Sequence, residues 1–295
     1  MSEQAGSEQV AVLAGRSFLV TGGNAGVGYA TAIDLARRGG RVYIAGRSKE
    51  KVEAAVASIK ADTGSDQVFL MLLDLASLDS VRAGAQAFLA LDEPLHVLIN
   101  NAGVGGQRGL TSDGFELHFG VNHLGHFLLT QALLPRIVES AAGGSGSSGG
   151  RIVVVSSDSH YQAKGIDFDK LRSRTRTVTG LREYSVSKLA NVLFAQELAR
   201  RLDGTGVNTY CVHPGVVASE IWRRVPWPIR PIVKSRMLTI EEGARTSLYC
   251  ATSPEVAGET GLFYDKCAVR EPSKVAQPEL AGELWAYSEK WTAGA

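Results

Sequence analysis

Short apolar runs alternate with longer amphipathic stretches along most of the chain. The apolar runs are rich in Val, Ile and Leu and lack a two-residue alternation, which is typical of strands covered on both faces. They predict strands at residues 17–21, 41–45, 68–73, 96–100, 151–156, 207–213 and 261–265. The amphipathic stretches predict helices over residues 25–38, 48–61 and 111–139, and helices that begin near Ser77, Tyr184 and the capping box Thr239–Glu242.

This order of elements predicts the fold class. Buried strands separated by helices form βαβ units, and right-handed crossovers between such units build a parallel sheet. We therefore expect an α/β fold, with a single Rossmann-type doubly wound parallel sheet of about seven strands and helices on both faces.

The alternation of predicted strands and helices also indicates the domain organisation. It continues to residue 265 without a break, so residues 15–295 are predicted to form a single domain. Residues 1–14 are polar and are expected to be a flexible N-terminal segment. Residues 143–150 are rich in Gly and Ser, like a linker, but the strand pattern resumes directly after them. We interpret them as a surface loop.

Composition narrows the function classes. The 295 residues carry a net charge of +1, so neither nucleic acid nor an anionic membrane is an expected partner. No apolar run approaches the ~20 residues that span a bilayer, and the N-terminus lacks the features of a signal peptide. Cys211, Cys250 and Cys267 are far apart and form no CxxC motif. They predict free thiols in a reducing compartment, and hence a cytoplasmic protein.

A glycine-rich loop joins the first strand to the first helix. In the sequence VTGGNAGVG, Gly22, Gly26 and Gly28 allow a tight turn and let backbone N–H groups approach a pyrophosphate at the helix N-terminus. Asn24 and Val27 lie in the same loop and are predicted to contact the same ligand. Glycines alone also fit a flexible loop, but these lie at the strand-to-helix junction that dinucleotide binding requires. The domain is therefore interpreted as a dinucleotide-binding catalytic domain.

The end of the second strand indicates which dinucleotide binds. A protein that binds NAD(H) usually has Asp or Glu about here to bind the ribose 2′-hydroxyl. This chain has Arg47 and Ser48 instead, and a guanidinium matches the oxygens of a 2′-phosphate. The sequence thus favours NADP(H) over NAD(H). An exposed arginine that binds no ligand is the alternative.

A tyrosine and a lysine stand four residues apart in the segment YSVSK. Tyr184 and Lys188 lie on one face of the predicted helix. Free tyrosine has a pKa near 10 and is a poor acid or base at neutral pH, but an adjacent ammonium lowers that pKa. The pair alone also fits a solvated helix face, so the other motifs must decide between a reactive and an ordinary tyrosine.

Those motifs form an ordered set. TGGNAGVG, LDLAS, NNAG, VNHLGHF, VVVSS, YSVSK and HPGVVAS follow one another along the chain. Their order and approximate spacing resemble the short-chain dehydrogenase/reductase family from residue 16 to about residue 290. The segments GFELHFGVNHLGHFLLT, YSVSKLANVLFAQELARRL and VNTYCVHPGVVASEIW most resemble the retinol dehydrogenase branch.

The resemblance implies roles for four catalytic residues. Tyr184 is expected to be the general acid/base, and Lys188 to lower its pKa and to contact the nicotinamide ribose. Ser157 is expected to hold the substrate oxygen, although the long segment that follows leaves Ser156 and Ser159 open as alternatives. Asn122 is expected to support a water-linked proton relay to Lys188.

The resemblance also implies contacts to the cofactor and the substrate. Asp74 and Leu75 are expected to flank the adenine. The cofactor cleft is expected to be lined by Asn101, Ala102 and Gly103, and the nicotinamide to be packed by Pro214, Gly215 and Val217. Residues 221–233, which include Trp222 and Trp227, follow the sixth strand and are interpreted as a lid over a lipophilic substrate. The alternative for these tryptophans is ordinary packing.

Two further clusters of polar residues are interpreted as structural rather than functional. His118, His123 and His126 lack a completing Cys or carboxylate, so packing is favoured over a metal site and no metal is expected. The basic segment at residues 164–182 fits a solvated loop better than a feature that steers an acidic substrate.

The sequence therefore predicts an NADP(H)-dependent oxidoreductase that interconverts a lipophilic alcohol and its aldehyde or ketone, either retinoid-like or a polycyclic natural product. The alternative is a catalytically idle dinucleotide-binding scaffold or sensor, which would need none of the four catalytic residues. The sequence does not decide the assembly, for which a homodimer and a homotetramer are the candidates.

Overall fold

A single twisted sheet forms the centre of the molecule. The computed structural model describes residues 13–143, 149–215 and 238–294. The strand order is β3-β2-β1-β4-β5-β6-β7-β8. The strands are β1 (Ser17–Thr21), β2 (Arg41–Gly46), β3 (Val68–Leu72), β4 (Val97–Asn100), β5 (Gly150–Val155), β6 (Val207–His213), β7 (Leu262–Asp265) and β8 (Ala268–Val269). Every neighbouring pair is parallel except β7 and β8. The predicted doubly wound α/β fold is confirmed, with one strand more than the expected seven.

Helices cover both faces of this sheet. In the described residues they are α1 (Gly26–Arg37), α2 (Lys49–Thr63), α3 (Leu78–Leu89), α4 (Leu117–Phe119), α5 (Gly125–Gly143), α6 (Leu181–Arg201), α7 (Ile240–Thr252) and α8 (Pro278–Thr292). A π-helical turn, Gly120–Leu124, joins α4 to α5. The predicted capping box is present at the start of α7, where Thr239 and Glu242 bond reciprocally.

One predicted helix begins later than expected. The pattern predicts a helix from residue 111, but α4 starts at Leu117. Thr111 instead forms a turn in which its N–H donates to the carbonyl of Phe115 (2.9 Å). Gly114 adopts a left-handed φ of +78° within that turn, which a continuing helix does not allow.

Alternate strand residues face opposite helical layers. Leu19 and Leu98 join a core with residues of α3, α5, α6 and α8. Phe18 and Val97, their neighbours in β1 and β4, join the other core with residues of α1, α2 and α7. Because both faces are covered, the central strands are apolar at nearly every position, which is the pattern seen in the sequence.

The C-terminal helix was not predicted from the sequence. In α8, Trp285 is buried, with its ring centroid 5.0 Å from that of Phe127 and 6.0 Å from that of Phe194. The guanidinium of Arg201 lies 4.2 Å from the centroid of the Trp285 ring. The helix therefore covers the outer faces of α5 and α6.

Parts of three predicted segments lie outside the described residues: 1–12 of the N-terminal segment, 144–148 of the Gly/Ser loop, and the whole of 221–233. Leu13, the first described residue, is buried and donates its N–H to the carbonyl of Arg38 (2.9 Å). Across the described chain, no helix is both long and apolar enough to cross a membrane.

The packing of Trp285 predicts its contribution to stability. We expect Trp285→Ala to lower the free energy of unfolding by about 3 kcal/mol, because removing a buried aromatic ring leaves a cavity. Trp285→Phe keeps a ring in the cluster and should lose less than half as much. Urea unfolding followed by circular dichroism measures both values, and a change below about 0.5 kcal/mol for the alanine variant would contradict this packing.

Candidate active site

The predicted site residues follow the ends of six parallel strands. Parallel strands present their carboxyl ends at one edge of the sheet, so the loops that follow them meet there. The first predicted residues after β1 to β6 are, in order, Gly22, Arg47, Asp74, Asn101, Ser157 and Pro214. Because β1 pairs with β4, the glycine loop lies directly beside the Asn101 loop.

Asn122 lies in the π-helical turn and links two parts of the site. Its Oδ1 accepts the N–H of Val104 (2.7 Å), and its Nδ2 donates to the carbonyl of Val104 (3.0 Å) and to Oγ of Ser187 (2.9 Å). A Cβ added at Gly103 would lie 3.2 Å from Asn122 Oδ1 and 3.7 Å from Lys188 Nζ. Asn122 therefore joins the loop after β4 to the helix that carries Lys188.

Tyr184 and Lys188 come together as predicted, with the tyrosine half-buried and the lysine buried. Nζ of Lys188 donates to the carbonyl of Val155 (3.0 Å) and lies 5.6 Å from the centroid of the Tyr184 ring. Burial lowers the pKa of Lys188 to about 8. Burial also raises the pKa of Tyr184, and a hydrogen bond with Ser157 opposes that rise. Burial therefore raises the pKa of Tyr184, whereas the ammonium of Lys188 is expected to lower it.

The structure separates the three candidate serines. The Ser156 hydroxyl is buried and donates to the backbone carbonyl of Lys188 (2.8 Å). Ser159 donates its N–H to Oγ of Ser157 (3.2 Å). Of these three side chains, only that of Ser157 affects the pKa of Tyr184, which its hydrogen bonding lowers. The geometry therefore favours Ser157 as the serine that shares the site with the tyrosine.

His160 holds the backbone of Ser157 and was missed by sequence analysis. Its Nδ1 donates to the carbonyl of Ser157 (2.7 Å), and its Nε2 accepts the N–H of Ser273 (3.1 Å). The two bonds define a neutral imidazole with the proton on Nδ1. Burial lowers the pKa of His160, which keeps this form. His160 lies in a 3₁₀ turn of five residues, which is too short for a periodic signal, so only the fold could identify this contact.

Thr21 and His126 form a second link that the sequence did not indicate. The Thr21 hydroxyl accepts the N–H groups of Asn101 and Ala102 (2.9 Å each), and Asn101 Nδ2 donates to the Thr21 carbonyl (2.8 Å). Nε2 of His126 lies 2.8 Å from the same hydroxyl, and its Nδ1 lies 3.0 Å from the carbonyl of Asn122. This chain of bonds connects the end of β1 to the π-helical turn.

The glycine loop leaves backbone donors accessible. Gly22 and Gly26 have left-handed φ values of +67° and +56°, and a Cβ at Gly26 would meet no atom within 4 Å. The N-cap of α1 is Ala25, which provides no side-chain cap for the first-turn N–H groups. At Gly28 a Cβ would lie 2.4 Å from Asn101 Nδ2, so no larger residue fits. Open donors at a helix N-terminus suit an anion.

The end of β2 brings a second set of polar groups to this loop. Oδ1 of Asn24 lies 3.0 Å from the position of a Cβ at Gly46. Arg47 is exposed and has no ion-pair partner in the described part of the chain. Ser48 is the N-cap of α2, but its hydroxyl accepts no capping bond. These free donors fit a phosphate group beside the glycine loop.

Comparison with known proteins identifies the family. Residues 16–166 match the model of the family described as short chain dehydrogenase. The chain is 48% identical to "Retinol dehydrogenase 12" of Homo sapiens over 281 residues, which cover 92% of this chain and 85% of that protein. The chain belongs to the short-chain dehydrogenase family. Within it, the relatives assign the chain to the retinol dehydrogenase branch, which makes it an oxidoreductase.

Two further comparisons give similar coverage. "Dehydrogenase/reductase SDR family member 13" of Bos taurus is 44% identical over 291 residues, which cover 95% of this chain and 74% of that protein. A solved structure of an uncharacterised protein from Mycobacterium paratuberculosis superposes with a TM-score of 0.75 at 34% identity, covering 97% of this chain and 96% of that one. The dehydrogenase fold therefore extends over nearly the full chain.

Of the remaining predicted contacts to cofactor and substrate, some lie in the described residues and three do not. Oδ1 of Asp74 accepts the N–H of Ala76 (3.0 Å), and Leu75 is buried. Pro214 and Gly215 follow β6, and Gly215 has a left-handed φ of +83°. Val217, Trp222 and Trp227 lie outside the described residues. Within those residues, no group of three or more His, Cys, Asp or Glu side chains could hold a metal ion.

Buried histidines beside the site predict a pH-dependent stability. Burial lowers the pKa of His126 to about 4 and that of His123 to about 3. Between these values and the ordinary pKa of about 6.5, the unfolded chain binds more protons, so acid favours unfolding. We expect the free energy of unfolding to fall from pH 6.5 towards pH 4, by up to ~1.4 kcal/mol per pH unit for each histidine.

Urea titrations at several pH values measure this slope, and His126→Gln provides the comparison. The variant should lose less stability than the parent as the pH falls from 6.5 to 5, because one titrating group is gone. Equal slopes in the two proteins would show that His126 does not contribute.

Proposed function

We propose that the protein is an NADP(H)-dependent oxidoreductase that interconverts a lipophilic alcohol and its aldehyde or ketone, with a retinoid-like compound as the substrate class. The observation that carries the proposal is the meeting of Asn122, Ser157, Tyr184 and Lys188 beside the glycine loop. A catalytically idle scaffold would not need a half-buried tyrosine beside a serine and a buried lysine.

The residues at the carboxyl edge of the sheet fit a dinucleotide with a 2′-phosphate. The uncapped first turn of α1 would hold the pyrophosphate, and Gly26 leaves room for its close approach. Arg47 and Ser48 would hold the 2′-phosphate, since a guanidinium pairs with phosphate oxygens and no acid lies there to repel them. When bound, NADP(H) supplies or accepts the hydride.

The chain's own residues handle the proton. Tyr184 would donate its phenolic proton to the carbonyl oxygen in reduction and accept a proton from the alcohol in oxidation. Its raised pKa keeps the phenol protonated at neutral pH, which suits the donor. The Ser157 hydroxyl would donate a hydrogen bond to the same substrate oxygen, where negative charge develops.

Lys188 and Asn122 support that proton transfer. A lysine with a pKa of about 8 is mostly an ammonium at pH 7, and its charge stabilises the phenolate that remains after proton donation. The side chain of Asn122 is bonded to Val104 and Ser187, so we assign it the positioning of the helix turn that carries Tyr184 and Lys188. The water-linked relay remains an expectation.

The substrate class rests on the relatives and on the chemistry of the site. Proteins 41–48% identical to this chain carry the names retinol dehydrogenase 11, 12 and 13. Retinol and its aldehyde are an alcohol and carbonyl pair, which is the functional group that the Ser157 and Tyr184 hydroxyls can bind. The experiment that tests the proposal follows NADPH consumption with retinaldehyde and with a graded series of smaller aldehydes and ketones.

The role of Tyr184 predicts a large loss of turnover. Tyr184→Phe keeps the ring and removes the exchangeable proton, so kcat should fall by a factor on the order of 10² or more. The dissociation constant for NADPH, measured by fluorescence titration, should change little. Tyr287→Phe is the matched control, because that ring stacks on Phe168 and its hydroxyl has no partner in the described residues. Near-normal kcat in Tyr184→Phe would refute the role.

The position of Arg47 predicts the cofactor preference. NADPH should bind more tightly than NADH, and Arg47→Asp should weaken NADPH binding roughly tenfold or more, because a charge-assisted bond to the 2′-phosphate is lost. NADH binding should be retained. Arg245→Asp makes the same exchange at an exposed position of α7 and should leave both constants unchanged. Equal dissociation constants for NADPH and NADH in the parent would rule out the preference.

A further inference from the structure

A second cleft lies behind the helix that carries Tyr184. It has a volume of about 770 Å³ and is bounded by residues 162–177 and by the first turns of α6. It includes none of the four residues proposed for catalysis. On α6, Arg182 and Val186 line it, whereas Tyr184 and Lys188 lie on another face of the helix, since successive residues rotate by about 100°. The cleft is therefore distinct from the candidate active site.

The lining of this cleft carries an excess of positive charge. Its cationic residues are Lys164, Lys170, Arg174, Arg176 and Arg182, and its acidic residues are Glu116, Asp167 and Glu183. Five cations against three carboxylates leave two positive charges. The first turn of α6 contributes Arg182 and Glu183 to the lining, and the N-terminus of a helix carries a positive partial charge.

The three carboxylates are already occupied by the protein. Glu183 accepts the N–H groups of Arg176 (3.0 Å) and Thr177 (2.9 Å). Glu116 accepts the N–H of Phe119 (2.9 Å) and bonds to Nδ1 of His118 (3.0 Å), while Asp167 pairs with Lys170.

The other four cations are Lys164, Arg174, Arg176 and Arg182. Their side chains have no ion-pair partner in the part of the chain that the structure describes, and all four are exposed. They are therefore available to a ligand that carries negative charge. Between them the wall of the cleft is apolar, with Ala163, Ile166, Leu171 and Val186.

We propose that this cleft binds a phosphate monoester attached to an apolar organic group. A phosphate monoester carries a charge of about −1.5 to −2 at pH 7, which matches the two uncompensated positive charges. Arginine pairs with phosphate through two parallel hydrogen bonds, and three of the four free cations are arginines. The apolar wall accommodates the organic group. Both a soluble phosphorylated compound and the headgroup of phosphatidic acid present this chemistry.

Calorimetric titration with hexyl phosphate tests the proposal. Hexyl phosphate should bind more tightly than inorganic phosphate, which lacks the apolar group, and than heptanoate, which carries a single charge. The double variant Arg174→Gln/Arg176→Gln should weaken binding of hexyl phosphate at least tenfold. Arg172→Gln is the matched control, because that guanidinium belongs to the same loop but lies 4.4 Å from the centroid of the Phe115 ring and does not line the cleft. Its affinity should equal that of the parent.

Two further measurements identify the binding site and the source of the ligand. Arg47→Asp should not change the affinity for hexyl phosphate, since Arg47 lies at the proposed cofactor site. Vesicles of phosphatidylcholine with and without phosphatidic acid distinguish the sources. Retention by the acidic vesicles, lost in the double variant, indicates a lipid headgroup. Binding of hexyl phosphate without retention indicates a soluble compound.

Three results would overturn the proposal. The protein would bind neither hexyl phosphate nor acidic vesicles, or the parent and the double variant would bind hexyl phosphate with equal affinity. The third is that Arg47→Asp, and not the double variant, loses the binding of hexyl phosphate. Thermal unfolding of the double variant confirms that it is folded. Because Tyr184→Phe should leave this binding unchanged, the proposal stands or fails independently of the proposed oxidoreductase activity.

Discussion

Parallel strand pairing is the constraint on which the site depends. Seven strands run in one direction, so the loops after β1 to β6 are all forced to one edge of the sheet. The strand order places β1 beside β4, and this switch point opens a crevice between two loops that are far apart in sequence. The sheet thereby gathers a glycine loop, a serine and a tyrosine-bearing helix without direct contacts between most of them.

The Thr21 hydroxyl fixes that crevice at the level of single atoms. It accepts two N–H groups from the Asn101 loop and lies within hydrogen-bonding distance of His126, which reaches the carbonyl of Asn122. A charged imidazole would carry protons on both nitrogens and could no longer accept from Thr21. Burial favours the neutral form of His126, so the same desolvation that costs stability in acid maintains the site at neutral pH.

The sequence reveals the elements that have a repeating pattern and misses those that depend on a single contact. Strands buried on both faces were predicted because nearly every position is apolar, and the pairing of Tyr184 with Lys188 was predicted because helical spacing brings them together. The edge strand β8 has two residues, which is too short for a pattern. His160 acts through one bond to a backbone carbonyl, which leaves no trace in residue spacing.

Two opposing effects act on the pKa of Tyr184. Burial disfavours the phenolate, whereas a nearby ammonium favours it. Lys188 is itself buried, and its lowered pKa reduces the fraction that is charged, so the two groups lose charge for the same reason. In the proposed reaction, a site built in this way would hold its proton until a negative charge develops on the bound oxygen. Ser157 opposes the effect of burial, because its hydrogen bond lowers the pKa of Tyr184. In the proposed reaction the same hydroxyl would also stabilise the negative charge that develops on the substrate oxygen.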